Sequence, residues 1–170
     1  MRNRLWNFNY DSPGCYFITI CTKDRKNYFG EIINKKIELS NIGITAQQCW
    51  QEIPDHFSNI AIDDFVIMPN HIHGIVQIKK NVGVADLRPL QYKLSSAQLV
   101  GVDRSKMILP KIVHGYKSSV TRALNIKGVK FAWQRSYFDE FINNEEIYKN
   151  VSFYIKHNVD NWENDEFNKE

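Results

Sequence analysis

Short apolar runs alternate with amphipathic stretches along the chain. Cys15-Tyr16-Phe17-Ile18-Thr19-Ile20-Cys21-Thr22 is aromatic and β-branched, lies between Pro13-Gly14 and a charged turn, and predicts a buried central strand. Tyr28 to Leu39 alternates loosely about Asn34-Lys35, the pattern of a small hairpin. Ser40 is placed to cap a helix whose apolar positions Ile42, Ala46, Cys49 and Ile53 recur at helical spacing, with Pro54 ending it near Ile53. Ile60 to Met68 predicts the next strand, and His71 to Ile78 its hairpin partner across Pro69-Asn70. Residues 80–108 show no period and read as a long loop. Leu109-Pro110 opens a second helix with an Ile112, Tyr116, Val120 and Leu124 stripe, closed by Gly128. Ser136 to Phe141 predicts another strand, and Asn144 caps a third helix with Glu145 and Glu146 in its first turn. Asp160 to Glu170 is acidic and expected to fray.

The order β-α-β-β-α-β plus a final helix is that of an α+β, ferredoxin-like split-βαβ sandwich with an antiparallel sheet. No internal repeat or boundary interrupts it, so residues 1–170 read as a single domain with its core at about 14–160.

Composition narrows the class. Hydrophobic residues at 43% and aromatics at 13% fit a packed core rather than a disordered chain. No apolar run reaches transmembrane length, and Met1 to Trp6 lacks the apolar core of a signal peptide. Cys15, Cys21 and Cys49 are odd in number and lack metal-ligand spacing, and reduced thiols in a cytoplasm account for them most simply. Charge is unevenly spread: residues 79–135 carry +10, against −1 before and −6 after them. A basic middle suits a polyanionic partner, and Lys111, Lys117, Arg122, Lys127, Lys130 and Arg135 are its candidate phosphate contacts.

The candidate chemistry begins with His71 and His73. Alternation along a strand puts both imidazoles on one face, about 7 Å apart at Cα by strand rise, where they can converge on one metal ion. On the third helix Ile147, Val151, Tyr154 and Asn158 share a line, so Tyr154 and Asn158 can address one point. Packed on the sheet, that face would bring a phenol and an amide beside the histidines. Tyr148, Tyr137 and Tyr116 are also present, and spacing alone does not choose among them.

Several segments in order resemble one family. They are Thr19-Ile20-Cys21-Thr22-Lys23-Asp24-Arg25, Trp50-Gln51-Glu52-Ile53-Pro54, Met68-Pro69-Asn70-His71-Ile72-His73-Gly74 and Tyr116-Lys117-Ser118-Ser119. Trp133-Gln134-Arg135-Ser136-Tyr137-Phe138-Asp139, Asn144-Glu145-Glu146 and Tyr154-Ile155-Lys156-His157-Asn158 follow. Together they resemble the IS200-like tyrosine transposases, in the REP-associated branch, over roughly residues 14–162. The resemblance implies a DNA-binding endonuclease and strand transferase of the histidine-hydrophobe-histidine class, acting on single-stranded or hairpin DNA in transposition and recombination. It implies Tyr154 as the nucleophile forming a 5′-phosphotyrosine, and His71, His73 and Asn158 as holders of a divalent ion, Mg²⁺ or Mn²⁺. It leaves open a homodimer in which the tyrosine serves its own site or a partner's. The chain departs from the family where Asn158-Val159 stands in place of Asn-Pro.

Two other readings of the residues stand beside this one. A metal-dependent hydrolase would use activated water with help from Asp63, Asp64 or Asp139. A catalytically retired module would bind nucleic acid through its basic residues and cut nothing.

Overall fold

The computed structural model describes residues 11–80 and 107–168. The expected loop at 80–108 lies, apart from its ends, outside the described residues, as does Met1 to Trp6. The chain runs through β1 (Gly14–Cys21), β2 (Gly30–Ile33), β3 (Lys36–Leu39), α1 (Asn41–Gln51), α2 (Ile53–His56), β4 (Ile60–Ile67), β5 (His71–Ile78), α3 (Ile108–Ile126), β6 (Phe138–Ile142) and α4 (Glu145–His157). The main sheet has the order β4-β5-β1-β6 with every neighbouring pair antiparallel, and β2-β3 form a separate hairpin. This is the split-βαβ arrangement, with β1 and β5 as its central strands.

Local chemistry places the elements where the pattern predicts them. Asn34 and Lys35 both take positive φ, the backbone of a tight two-residue hairpin turn. The Ser40 hydroxyl accepts from the Gly43 amide at 3.1 Å, and the Asn144 side chain accepts from the Ile147 amide at 2.8 Å, capping α1 and α4.

Three boundaries differ from expectation. Pro54 opens the short α2 rather than ending the preceding helix, because a proline in a first turn gives up an amide that has no partner there anyway. β6 starts at Phe138 rather than Ser136, since the carbonyls of Gln134, Arg135 and Ser136 are occupied by the Lys117 ammonium. The acidic tail folds back instead of fraying: residues 162–164 form a 3₁₀ turn and the Phe167 ring is buried. Its apolar ring outweighs the solvation of its charged neighbours.

The sheet is covered on both faces. Tyr16, Ile18 and Ile20 of β1 and Ile72 and Val76 of β5 pack against α1 and α3 through Trp50, Ile112, Tyr116 and Val120. Between them lies Gly74, where a Cβ would stand 2.3 Å from Trp50 Cζ2, so only glycine lets α1 close on the sheet. The opposite face carries Ile75 and Ile142 with Phe17 and Val66, and receives Ile155, Ile147 and Val151 of α4. On β4 the register shifts between Ile62 and Phe65, a bulge that adds one residue. Ile60 and Ile62 before it, and Phe65 and Ile67 after it, all serve the α1/α3 side. The bulge residues Asp63 and Asp64 reach the other way: Asp63 accepts from the Tyr148 hydroxyl, and Asp64 from the Ser152 hydroxyl and, at 3.0 Å, from Lys156. These bonds fix α4 over β4.

Candidate active site

β5 sets out the site. His71, His73 and Ile75 alternate onto the α4 face, and both imidazoles are buried, at 0% and 1% exposure, with ring centroids 4.4 Å apart. Asn70 at the entry to β5 determines the form of the first imidazole. Its side-chain amide donates to the Arg25 carbonyl at 3.1 Å and to the Phe167 carbonyl at 2.9 Å, so its oxygen must be the atom 2.8 Å from His71 Nδ1. His71 Nδ1 therefore carries the proton, and Nε2 presents a bare lone pair. That Nε2 is buried and has no hydrogen-bond partner. His73 Nδ1 lies 2.8 Å from Thr19 Oγ1 on the neighbouring strand, and its ring stacks on Phe17 at 5.2 Å between centroids.

α4 brings the phenol and the amide. Tyr154 Oη lies 3.2 Å from His73 Nε2, within one chain. With the phenol donating to Nε2, Nδ1 donates to Thr19, and every atom of that imidazole is satisfied. Asn158 caps the helix and is 2% exposed. Its Nδ2 donates to Asp165 at 3.2 Å, which fixes the amide's orientation and leaves Oδ1 buried with no partner. Tyr154, at 38% exposure, faces a cavity of about 290 Å³ shared with Phe17, Thr19, His73, Phe138 and Asp139.

Burial sets the protonation states. It pushes the His73 imidazole down to about 3, and holds His71 well below the ordinary histidine range, with its neighbours His73 and Arg25 acting the same way. Both rings are neutral at physiological pH, the form that ligates metal. Burial, reinforced by the Asp165 carboxylate, raises the Tyr154 phenol to about 12, while its bond to Asn158 opposes the rise. The phenol is protonated at neutral pH.

The basic residues divide. Lys111, Arg122, Lys127, Lys130 and Arg135 are exposed, and the first three lie on or at the end of α3, across the sheet from the histidines. Lys117 is partly buried: its ammonium donates to the carbonyls of Gln134, Arg135 and Ser136, pinning that segment to α3. Asp63 and Asp64 are committed to α4, and Asp139 lines the cavity.

Sequence reasoning passed over Asn70, Arg25, Asp165 and Phe167. Arg25 sits in a left-handed conformation, donates to the Glu166 carbonyl at 2.9 Å and lies over the Phe167 ring. Phe167 in turn packs 4.7 Å from the His71 ring. Asp165 offers an oxygen to the histidines: one ligand atom from each of His71, His73 and Asp165 falls within 4.8 Å of the others. Asn70 had a signal, adjacency to His71, but reads first as a turn residue.

Fold and site together define a ferredoxin-like α+β protein with two neutral histidines, a phenol and an amide converging on one sheet face. No family model matches the chain. It is 38% identical over 164 residues to a Haemophilus influenzae protein described as uncharacterized, across 96% of this chain and 89% of that one. The chain belongs to the family of that protein. Among solved structures it is similar to the REP-associated tyrosine transposase bound to a REP hairpin, with a TM-score of 0.59 and 17% identity over 93% of this chain and 72% of that one. At that identity the likeness is one of fold. Among the described residues no helix is long and apolar enough to cross a membrane.

Proposed function

We propose that this chain is a metal-dependent single-stranded DNA endonuclease and strand transferase, a transposase of the single-tyrosine type, with Tyr154 as its nucleophile. The observation that carries the reading is the Tyr154 phenol, 3.2 Å from His73 Nε2, together with two buried acceptors that have no partner, His71 Nε2 on β5 and Asn158 Oδ1 one turn beyond Tyr154. Orphaned buried acceptors are costly in a folded protein, and a divalent cation satisfies both. The shared fold with a transposase solved on a hairpin adds support for hairpin-forming DNA as the partner.

In this reading His71, His73 and Asn158 would hold the ion, His73 through the Nε2 lone pair that the Tyr154 hydroxyl gives up when it turns to the phosphate. A bound Mg²⁺ or Mn²⁺ supplies Lewis acidity for a phosphate oxygen and offsets charge on the departing 3′ oxygen. Tyr154 loses its proton to solvent, and its oxygen bonds to phosphorus as the P–O3′ bond breaks. The products are a 5′-phosphotyrosine and a strand with a free 3′-hydroxyl, which takes up a proton as it leaves. One phosphoester replaces another, so a second 3′-hydroxyl can reverse the step and join strands without a nucleotide cofactor. Asn70 and Thr19 keep the imidazoles oriented, and Asp63 and Asp64 keep α4 seated. Arg122, Lys127, Lys130 and Arg135 contact phosphates, setting affinity rather than sequence.

The test is covalent trapping on 5′-labelled and internally labelled single-stranded hairpin DNA. Wild-type protein with Mn²⁺ is expected to form an adduct stable to denaturation. A chelator, or His71→Ala with His73→Ala, is expected to abolish it. Cleavage without any protein-linked DNA would favour the hydrolase instead, and binding without cleavage the retired module.

A further inference from the structure

We propose that Asp165 is a further ligand of the ion, reaching the histidines from the segment that follows the tyrosine helix, so that metal binding further secures the docked residues 162–168. The inference rests on the metal site of the proposed function and goes beyond it.

The donor set assigned so far is electrically incomplete. Two neutral imidazoles and one amide leave a dication with its full charge inside a buried pocket, and an uncompensated buried charge is costly. Mg²⁺ and Mn²⁺ also favour oxygen ligands, carboxylates first. Asp165 answers both needs. Its oxygen and one nitrogen of each histidine already lie within 4.8 Å of one another without an ion. Ligands about 2.1 Å from a shared cation stand roughly 3 to 4.2 Å apart, so a small side-chain movement completes the set.

The surroundings hold Asp165 in that position. Its Oδ1 accepts from the Phe167 amide at 2.7 Å, and its Oδ2 accepts from Asn158 Nδ2 at 3.2 Å. The second bond identifies the Asn158 oxygen as the atom left buried without a partner. The segment is anchored independently through its backbone: Asn70 holds the Phe167 carbonyl, and Arg25 holds the Glu166 carbonyl. A carboxylate keeps lone pairs for an ion while accepting these bonds. The ion would then tie together β5, the end of α4 and the folded-back tail.

The experiment titrates Mn²⁺ alone into the full-length protein without DNA, by calorimetry, and follows proteolysis of residues 162–168 with and without Mn²⁺. Asp165→Asn keeps the shape and the acceptor for the Phe167 amide. It is expected to weaken Mn²⁺ binding at least tenfold and to remove Mn²⁺-dependent protection of the tail. Glu163→Gln, an exposed position on the same segment, is expected to change neither. Circular dichroism verifies that each variant is folded. Should Asp165→Asn misfold, Asp165→Glu, which retains the charge but moves it, is expected to show weakened binding as well. Wild-type binding lost in His71→Ala but unchanged in Asp165→Asn overturns this inference alone. Wild-type protein that takes up no Mn²⁺ overturns the metal site of the proposed function and this inference with it.

Discussion

Replacing Asn70 with alanine removes three side-chain hydrogen bonds at once: from His71 Nδ1 at 2.8 Å, to the Phe167 carbonyl at 2.9 Å and to the Arg25 carbonyl at 3.1 Å. Each such bond contributes about 1 kcal/mol net, and the partners lost here are buried or half-buried, so the expected cost is roughly 2 to 4 kcal/mol. For a chain of this size that is a fall in Tm of about 6 to 12 °C. A second consequence is local. Without the Asn70 oxygen, the His71 proton is free to move to Nε2 and block the lone pair, which is expected to lower Mn²⁺ affinity by roughly 10- to 100-fold. Asn70→Asp separates the two roles. It keeps an acceptor for His71 Nδ1–H but turns an oxygen toward two carbonyls, so it is expected to keep the His71 tautomer while releasing the tail and Asp165 with it, and its loss of Mn²⁺ affinity is expected to match that of Asp165→Asn rather than exceed it. Thermal melts, calorimetry and tail proteolysis read the three effects. An Asn70→Ala protein that melts within about 2 °C of wild type and binds Mn²⁺ equally would refute this assignment.

Three further outcomes follow from the geometry. In chelator, the low His73 value means that the unfolded chain gains a proton below about pH 6.5 that the folded chain refuses, so stability is full above that pH and is lost as pH falls toward 3. Urea unfolding is expected to show about 2 kcal/mol lost between pH 7 and pH 5 from this group, and His73→Gln to flatten the profile; an unchanged slope in that variant would contradict it. Gly74→Ala places a methyl against the buried Trp50 ring and is expected to cost about 1 to 3 kcal/mol, partly recovered by Trp50→Phe in the same chain, with strict additivity the contrary result. Lys117→Ala is expected to cost about 1 to 2 kcal/mol in urea unfolding, whereas Arg122→Ala costs within about 0.5 kcal/mol but flattens the salt dependence of single-strand binding by roughly 0.7.

What was legible in the sequence follows from periodicity. His71 and His73 at alternate positions, and Tyr154 and Asn158 one turn apart, announce shared faces because strand and helix repeats are fixed by backbone geometry. The caps at Ser40 and Asn144 are equally local. The rest depends on distant partners. Lys117 reads as a solvated helix charge, and only the fold shows the carbonyls of residues 134–136 beneath it. Asp165 belongs to an acidic run with no period, and nothing local distinguishes it from Glu163, which faces solvent. Asp63 and Asp64 interrupt the β4 alternation, but their pairing with Tyr148, Ser152 and Lys156 requires the bulge.

The central claim is that Tyr154 itself attacks the phosphodiester. Tyr154→Phe removes one oxygen from a residue 38% exposed, so the protein is expected to fold, bind Mn²⁺ and bind single-stranded DNA as wild type does. The decisive measurement is the release of a 3′-hydroxyl strand from labelled hairpin DNA, together with peptide mapping of any protein-bound phosphate. The account predicts that wild-type protein yields the strand with phosphate mapped to Tyr154, and that Tyr154→Phe yields neither. A Tyr154→Phe protein releasing the 3′-hydroxyl strand at the wild-type rate would make water the nucleophile and contradict the account.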